Sequence, residues 1–474
     1  MNLTLNQADV IGKIKQFNYM DLIIFLIPFI IFTIYLYIFN PSIMSFDSLN
    51  QLHQIATGEF GNTHPFFHTF IEMLCLKVYP TPASYCVFQI SVFSIMWMCI
   101  CKYFRKTKKH FILQLIITLA ISLIPINALF SITLWKDVLF SYFLMFTCFL
   151  IKVLFDKDDV SIGFIILISV VMAFTAQLRH NGTIVILIFL VALALYLYKK
   201  NKSQKLYIAI PALTIVFILL IASLNVVYDV EDTQKDALYT KVIHMLSDYD
   251  LYLDLSNDDR AKIHNVISEK DIKEYYNPTF SDPVYGHGNH SAYSNNKMDY
   301  ITMAIKYSIL NPLHFVKYLF YSSPIVWDIT RDSDWIGNVY YTTGGEAKKP
   351  FYDFKKTTPA AGYDDPITVN SQKGFYKEFN AFVLSLRNNY IFQTLFLNPA
   401  LCMYLSIIMM IAIHLITKSK SIYIVYLPNL LNIVVVFLST PIQDVRYLYP
   451  NFLVCYLLII ILLSCIQKLD NSMI

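Results

Sequence analysis

Residues 20–50 read MDLIIFLIPFIIFTIYLYIFNPSIMSFDSLN, an apolar run that ends in a polar loop. The run from about 20 to 39 is long enough to cross the ~30 Å hydrocarbon core of a bilayer as a helix. No small-residue cleavage site follows it, so we expect a retained span rather than a signal peptide. The loop then places Asp47 just beyond the end of that span. An acid at this position meets water at the edge of the membrane.

The composition is that of a membrane protein. Of 474 residues, 56% are hydrophobic and 15% charged, whereas soluble domains carry roughly 25% charged residues. The formal net charge of +4 is small and gives no reason to expect a nucleic-acid partner. The eight cysteines fall in apolar spans or in one membrane-edge helix, which predicts neither disulfides nor a cysteine metal site. We therefore predict an all-α polytopic protein of the cell membrane, with the lipid bilayer as its surroundings.

Basic residues in the short connections set the orientation of the predicted spans, because Lys and Arg favour the cytoplasmic side. The basic runs at 102–109 and 199–205 fall on alternate connections, and both are cytoplasmic if the N-terminus is inside. With about ten spans, the C-terminus is then cytoplasmic too. The spans are predicted at about 20–39, 84–101, 111–129, 138–155, 160–178, 183–198, 206–228, 396–417, 421–440 and 448–467.

Two apolar regions are read as helices on the outer surface rather than as spans. Residues 65–79 are short and contain Glu72 and Lys77, and residues 301–327 are broken by Asn311-Pro312. Helices that lie in the membrane interface fit both regions. The predicted organisation is a transmembrane module at 1–228 with about seven spans and a first outer loop at 40–83, an extracytoplasmic domain at 229–394, and a transmembrane module at 395–474 with about three spans.

Several polar clusters fall on the outer side under this topology, although apolar spans separate them in sequence. We expect them to form one site at the membrane surface that handles a polar substrate with an anionic part. Simpler readings are that Asp47 only caps the helix after it, and that the cations only reach lipid phosphates. The five clusters are Asp47 with His64, Pro65 and His68; Trp135-Lys136-Asp137; Arg179-His180-Asn181; Gln443-Asp444-Val445-Arg446-Tyr447; and the long polar insert from about 229 to 394.

The opening loop carries the most specific pattern. Asp47 follows the first span, an amphipathic helix is predicted at 47–57, and Pro65 after His64 starts a further helix. This arrangement resembles the GT-C superfamily of integral membrane glycosyltransferases, over residues 20–110 in detail and over the remainder only as architecture. The resemblance implies a sugar donor on a polyprenyl-phosphate carrier, with Asp47 as the essential acid and Asp137 as the second acid.

Chemical roles follow for the other outer residues. Sugar transfer from a phosphate carrier needs a base for the acceptor hydroxyl and cations for the leaving phosphate. Asp47, helped by His64, is the predicted base, and the predicted phosphate ligands are Lys136, Arg179 and Arg446. No ligand spacing indicates a metal, although acids of the outer insert could bind a divalent cation. The secondary site candidates are His68, Asp137, His180 and Tyr447.

The expected acceptor is a cell-surface glycan or a lipid-linked acceptor, as for enzymes that modify O-antigen or another envelope polysaccharide. Nucleotide sugars are cytoplasmic, so an outer site favours a lipid-linked donor. A flippase or transporter of a lipid-linked saccharide is the first alternative, but such proteins usually place charges within their spans and have repeated halves. A polysaccharide polymerase or ligase is the second alternative, since those enzymes also use outer Arg and His residues.

Overall fold

A computed structural model of the protein describes residues 18–157, 159–233, 238–330, 374–387, 389–439, 441 and 443–473. Within this described part every regular element is a helix, and β-structure is limited to three isolated bridges. The protein is an all-α polytopic membrane protein, as the sequence predicts.

The N-terminal module begins with the span that precedes Asp47 and alternates long apolar helices with short ones. The amphipathic helix predicted at 47–57 and the short apolar helix predicted at 65–79 are both present, as α2 and α3. The helices are α1 (Tyr19–Ile38), α2 (Phe46–Thr57), α3 (Phe66–Val78), α4 (Pro82–Phe104), α5 (Lys108–Leu123), α6 (Pro125–Ser131), α7 (Lys136–Asp156), α8 (Ile162–Gln177), α9 (His180–Lys199) and α10 (Gln204–Val227).

The predicted outer insert is a set of short helices with a hydrophobic core of its own, separate from the core of the long helices. A helix break falls at Asn311, as predicted from Asn311-Pro312. Residues 331–373 of this insert lie outside the described part. The helices are α11 (Tyr239–Tyr252), α12 (Asn257–Val266), α13 (Glu269–Tyr275), α14 (Asp282–His287), α15 (His290–Asn295), α16 (Lys297–Leu310), α17 (Pro312–Ser322), α18 (Pro324–Trp327), α19 (Gly374–Arg387) and α20 (Tyr390–Phe396).

The C-terminal module returns to long apolar helices. They are α21 (Pro399–Thr417), α22 (Ser421–Leu438), a 3-10 turn (Val445–Leu448) and α23 (Tyr449–Met473).

Eight helical segments in the described part are long and apolar enough to cross a membrane. A ninth candidate is the pair α5 and α6, which is bent by 70° at Ile124, and α8 is an apolar helix below the length of a candidate span. All ten predicted segments are therefore helical. The count of ten spans and the cytoplasmic position of both termini stay predictions.

The helices that carry the charged ends lie at the centre of the bundle. In α7 and in the last span, 78% of the residues in the apolar 18-residue stretch are buried inside the protein, against 22% in α10. α7 packs on α8, α22 and α23. Because Lys136 begins α7 and Arg446 lies at the start of the last span, both cations emerge from the best-packed part of the protein rather than from its lipid-facing rim.

The turn between α8 and α9 depends on a close approach at Gly182. A Cβ atom there would lie 2.5 Å from the Thr175 carbonyl oxygen, 3.0 Å from the Ala176 carbonyl oxygen and 3.1 Å from the Phe140 ring. Two of these neighbours are backbone atoms, which cannot move aside as a side chain can. This contact sets the position of Arg179, three residues before Gly182.

We expect Gly182→Ala to destabilise the protein by about 1–3 kcal/mol, as overpacking of a close helix contact does. The measurement is the unfolding midpoint of the purified protein in detergent. Gly163→Ala is the matched control, because at that glycine the nearest atom to an added Cβ is Ser161 Oγ at 4.0 Å. Equal midpoints for the two variants would contradict the proposed contact.

Candidate functional site

Hydrogen bonds join the first outer loop to the segment that precedes α7. The Ile43 N–H donates to the Ile132 carbonyl at 2.9 Å, and the Leu134 N–H donates back to the Ile43 carbonyl at 3.2 Å. The indole N–H of Trp135 donates to Ser45 Oγ at 2.7 Å. These contacts fix the start of α2 beside the start of α7, which brings Asp47 to Lys136.

Asp47 does not cap α2, so that simpler reading is wrong. Ser45 is the N-cap residue, and its backbone N–H donates to Ser48 Oγ at 3.2 Å. Ser48 Oγ in turn donates to the Leu134 carbonyl at 2.7 Å. With the helix end satisfied by two serines, the Asp47 carboxylate is left to face the cations.

Asp47 forms ion pairs with two cations. Its Oδ2 lies 2.8 Å from Arg446 Nη1 and 3.6 Å from Lys136 Nζ. The Asp47 side chain is 26% exposed, while those of Lys136 and Arg446 are 14% and 13% exposed. Burial alone would raise the pKa of Asp47, but the charges of Arg446 and Lys136 outweigh burial and hold the pKa well below its usual value. Asp47 is therefore ionised throughout the physiological range.

His64 lies on the other side of Lys136, whose Nζ is 3.0 Å from His64 Nδ1. An ammonium group can only donate, so Nδ1 accepts and the ring proton belongs on Nε2. Burial, reinforced by the positive charge of Lys136, lowers the pKa of His64 to about 3. Asp47 and His64 thus meet through Lys136 rather than face each other directly.

Arg446 is the centre of the charged cluster. Its Nε lies 2.8 Å from Asp444 Oδ2 and 3.9 Å from Asp137 Oδ2. Its Nη2 donates to the Tyr447 hydroxyl at 3.0 Å. The guanidinium also lies over the Trp135 ring, 5.0 Å from its centroid. The ion pair of Asp444 with Arg446 is present, but it is one of several contacts of this arginine.

Arg179 occupies the deepest position of the three predicted phosphate ligands. Its side chain is 9% exposed, and its Nε lies 3.2 Å from Asp137 Oδ1, where the Asp137 side chain is 1% exposed. The guanidinium lies 4.7 Å from the Tyr447 ring centroid and 5.6 Å from that of Phe140. Arg179 therefore holds Asp137 and Tyr447 in place, behind the more exposed pair of Lys136 and Arg446.

Eight of the nine predicted site residues take part in this cluster or touch the loop that leads to it. Six of them carry the charged contacts: Asp47, His64, Lys136, Asp137, Arg179 and Arg446. Tyr447 packs on the two arginines. His180 interacts with the backbone of Asn62 and Thr63, just before His64.

His68 points into the protein and belongs to a separate buried group. Its Nε2 is 2.6 Å from the Tyr85 hydroxyl, and its Nδ1 is 2.9 Å from Gln51 Nε2. Glu72, one turn further along α3, is also buried, and its Oε1 lies 3.6 Å from His68 Nδ1. Burial raises the pKa of Glu72 and lowers that of His68, which favours a neutral pair. The start of α3 faces the cluster, but His68 and Glu72 do not.

The outer insert contacts the site at two places that sequence reasoning missed. Near its start, the Glu231 N–H donates to the Phe60 carbonyl at 2.8 Å, and Asn62 Nδ2 donates to Asp232 Oδ1 at 2.9 Å. Further along, the Ser281 N–H donates to the Pro441 carbonyl at 3.0 Å. The second contact carries Asp282 to the cluster, where the charges of Arg446 and Asp47 act on its carboxyl.

No motif in the sequence around Asp282 marks this residue as part of a site. Only the contact of Ser281 with Pro441, residues far apart in sequence, reveals its position. Across the described residues, no group of three or more His, Cys, Asp or Glu side chains is arranged to hold a metal ion.

No family model, no curated protein and no solved structure matches the chain. The resemblance to the GT-C superfamily therefore rests on the residues of the opening loop.

The buried position of His64 makes stability depend on pH. Its pKa in the folded protein is about 3, below the ordinary value of 6.5, so the unfolded chain binds a proton first as the pH falls. Folding stability is then lost progressively below pH 6.5, by about 1.4 kcal/mol per pH unit down to the folded pKa.

We expect His64→Gln to reduce the loss of stability between pH 7 and pH 5 by about 2 kcal/mol. Glutamine can still accept from Lys136 but does not titrate. Unfolding midpoints at the two pH values measure the effect, with substitution of the exposed His287 by Gln as the control. An unchanged pH response in His64→Gln would argue against a buried, neutral His64.

Proposed function

We propose that the protein is a GT-C-type glycosyltransferase that moves a sugar, as a hexosyltransferase does, from a polyprenyl-phosphate donor. The acceptor is a cell-surface glycan or a lipid-linked saccharide, and the site faces the extracytoplasmic side of the cell membrane. The observation that carries this proposal is the contact of Asp47 with both Lys136 and Arg446 at the ends of apolar helices.

The position of the cluster suits a donor whose phosphate is attached to a lipid. Lys136 begins α7, and Arg446 lies in the 3-10 turn that opens the last span. An ammonium and a guanidinium that meet at the ends of long apolar helices lie at headgroup depth, where the carrier phosphate would lie. The flippase alternative expects charges along the spans, whereas these charges are gathered at one end.

The pairing of the cations in the free protein has a chemical consequence. Lys136 and Arg446 already neutralise Asp47, so an incoming phosphate must share them with this carboxylate. In the transfer, the acceptor oxygen forms a bond to the anomeric carbon, the bond from that carbon to the phosphate oxygen breaks, and the carrier leaves with the electron pair as polyprenyl phosphate. Lys136 and Arg446 stabilise that leaving group. Asp47 keeps the two cations aligned and stabilises positive charge that develops on the sugar ring.

Arg179 acts through its neighbours in this proposal. It fixes Asp137, which also lies near Arg446, and it supports the Tyr447 ring. Trp135 and Tyr447 offer aromatic faces beside Arg446.

We expect Asp47→Asn to abolish sugar transfer while the protein remains inserted and abundant.

We expect Lys136→Gln to weaken donor binding by about 10-fold or more, because a charge-assisted hydrogen bond contributes roughly 1.5–3 kcal/mol. Purified protein with a radiolabelled polyprenyl-phosphate sugar gives both readouts, namely donor affinity and release of the carrier phosphate.

Lys306→Gln is the matched control, because its ammonium pairs with Asp259 on the outer helices and is remote from the cluster in sequence and in contacts. A wild-type protein that binds the donor without releasing the carrier phosphate would contradict the transferase proposal and favour a flippase. Full transfer by Asp47→Asn would remove Asp47 from the reaction.

A further inference from the structure

The outer helices are clamped to the loop that carries Arg446. The side-chain amide of Gln443 donates to the Thr279 carbonyl at 3.1 Å and to the Ser322 carbonyl at 3.0 Å, and its oxygen accepts from the Ile325 N–H at 3.0 Å. One part-buried amide thus ties two segments of the insert to the turn before the last span. The hydrogen bond from Ser281 to Pro441 closes the same contact.

This clamp brings a fourth carboxylate to the cluster. Asp282 directly follows Ser281, and Arg446 and Asp47 are the charged groups that act on it. Its side chain is partly exposed. Asp282 is therefore an exposed acid of the insert, next to the residue that contacts the loop before Arg446.

Asp282 differs from the other acids of the site in having no cation bound to it. Asp47, Asp137 and Asp444 each lie within 4 Å of an arginine or lysine nitrogen. Among the described residues, no hydrogen bond or ion pair involves the Asp282 carboxylate. Its lone pairs are therefore available to a substrate, whereas those of Asp47 accept from Arg446.

Among the described residues of the neighbouring elements, no further charge acts on Asp282. Asp282 is the first residue of the short helix α14. On that helix, Tyr285 packs against Tyr239 of α11, and His287 stacks on Tyr275 of α13. Lys241 of α11 donates instead to the Ser439 carbonyl at 3.0 Å. Burial raises the pKa of Asp282, with Arg446 opposing and Asp47 adding to the effect. A base is most efficient when its pKa approaches the working pH. Asp282 is therefore a better proton acceptor than Asp47, because its carboxylate is not paired with a cation and its pKa is raised rather than lowered.

We propose that Asp282 is the base that takes the proton of the acceptor hydroxyl, and that the acceptor binds between the outer helices and the charged cluster. This inference rests on the proposed transferase function. It assigns the two acids different tasks: Asp47 organises the cations for the donor phosphate, and Asp282 acts on the acceptor.

The step balances with the groups named. The acceptor oxygen forms a bond to the anomeric carbon, and its proton passes to Asp282. The bond from that carbon to the phosphate oxygen breaks, and its electron pair leaves with polyprenyl phosphate beside Lys136 and Arg446. Release of the proton from Asp282 to water completes the turnover.

We expect Asp282→Asn to lower kcat for transfer about 100-fold or more, the usual effect of losing a general base. Donor affinity and the KM for the acceptor should change by less than about twofold, because Asp282 holds no cation in place. We expect Asp282→Glu to restore part of the rate. Asp254→Asn is the control, since Asp254 is an exposed acid in the connection between α11 and α12.

The pH profile separates a base from a structural residue. In the wild-type protein kcat should fall as the pH drops through the pKa of Asp282, because the protonated carboxyl cannot accept a proton. This acid limb should be absent from the residual rate of Asp282→Asn and shifted in Asp282→Glu.

Two results would overturn the assignment of Asp282 while leaving the transferase proposal intact. One is wild-type kcat in Asp282→Asn, and the other is a raised acceptor KM with unchanged kcat, which would mean that Asp282 only binds the acceptor. A wild-type protein that transfers no sugar from the labelled donor would instead refute the proposed function, and this inference with it.

Discussion

The ion pair between Arg446 and Asp47 is the contact on which the rest of the site depends. It joins the first outer loop to the start of the last span, 399 positions later in the sequence. Charges that are largely removed from water are tolerated only when they are paired, and loss of one partner leaves a costly uncompensated charge. Three acids and three cations meet this requirement together: Asp47, Asp137 and Asp444 with Lys136, Arg179 and Arg446. Within this cluster the three carboxylates balance the charge of the three cations.

The bundle explains why these charges can be held so closely. α7 and the last span are the most buried of the candidate spans, and they carry Lys136 and Arg446 at their ends. Hydrogen bonds between Ile43 and the segment 132–134 add the first outer loop to this rigid centre. The outer helices, with a core of their own, then close one side through Gln443. The charged cluster therefore lies where two parts of the chain meet, the membrane helices and the insert.

Sequence reasoning reached the helices and the members of the cluster, but not its pairing. The length of the apolar segments identifies the spans. The basic residues in the connections predict that Asp47, Lys136 and Arg446 lie on the same side of the membrane, so their convergence could be predicted. Which acid pairs with which cation depends on loop register, such as the bond of Trp135 to Ser45, and no periodicity encodes it. His68 shares the His-Pro element with His64, yet the orientation of α3 buries it. The position of Asp282 follows from a contact between segments far apart in sequence, which one sequence alone does not reveal.

Cross-linking in native membranes tests the convergence most directly. In a protein with Asp47→Cys and Arg446→Cys, a short bifunctional thiol reagent should join the peptides that contain positions 47 and 446, and mass spectrometry identifies the product. A protein with Asp47→Cys and Lys200→Cys provides the comparison, because position 200 follows the opposite end of α9. We expect a strong cross-link in the first protein and background levels in the second. Background levels in both would mean that the first outer loop and the last span do not meet.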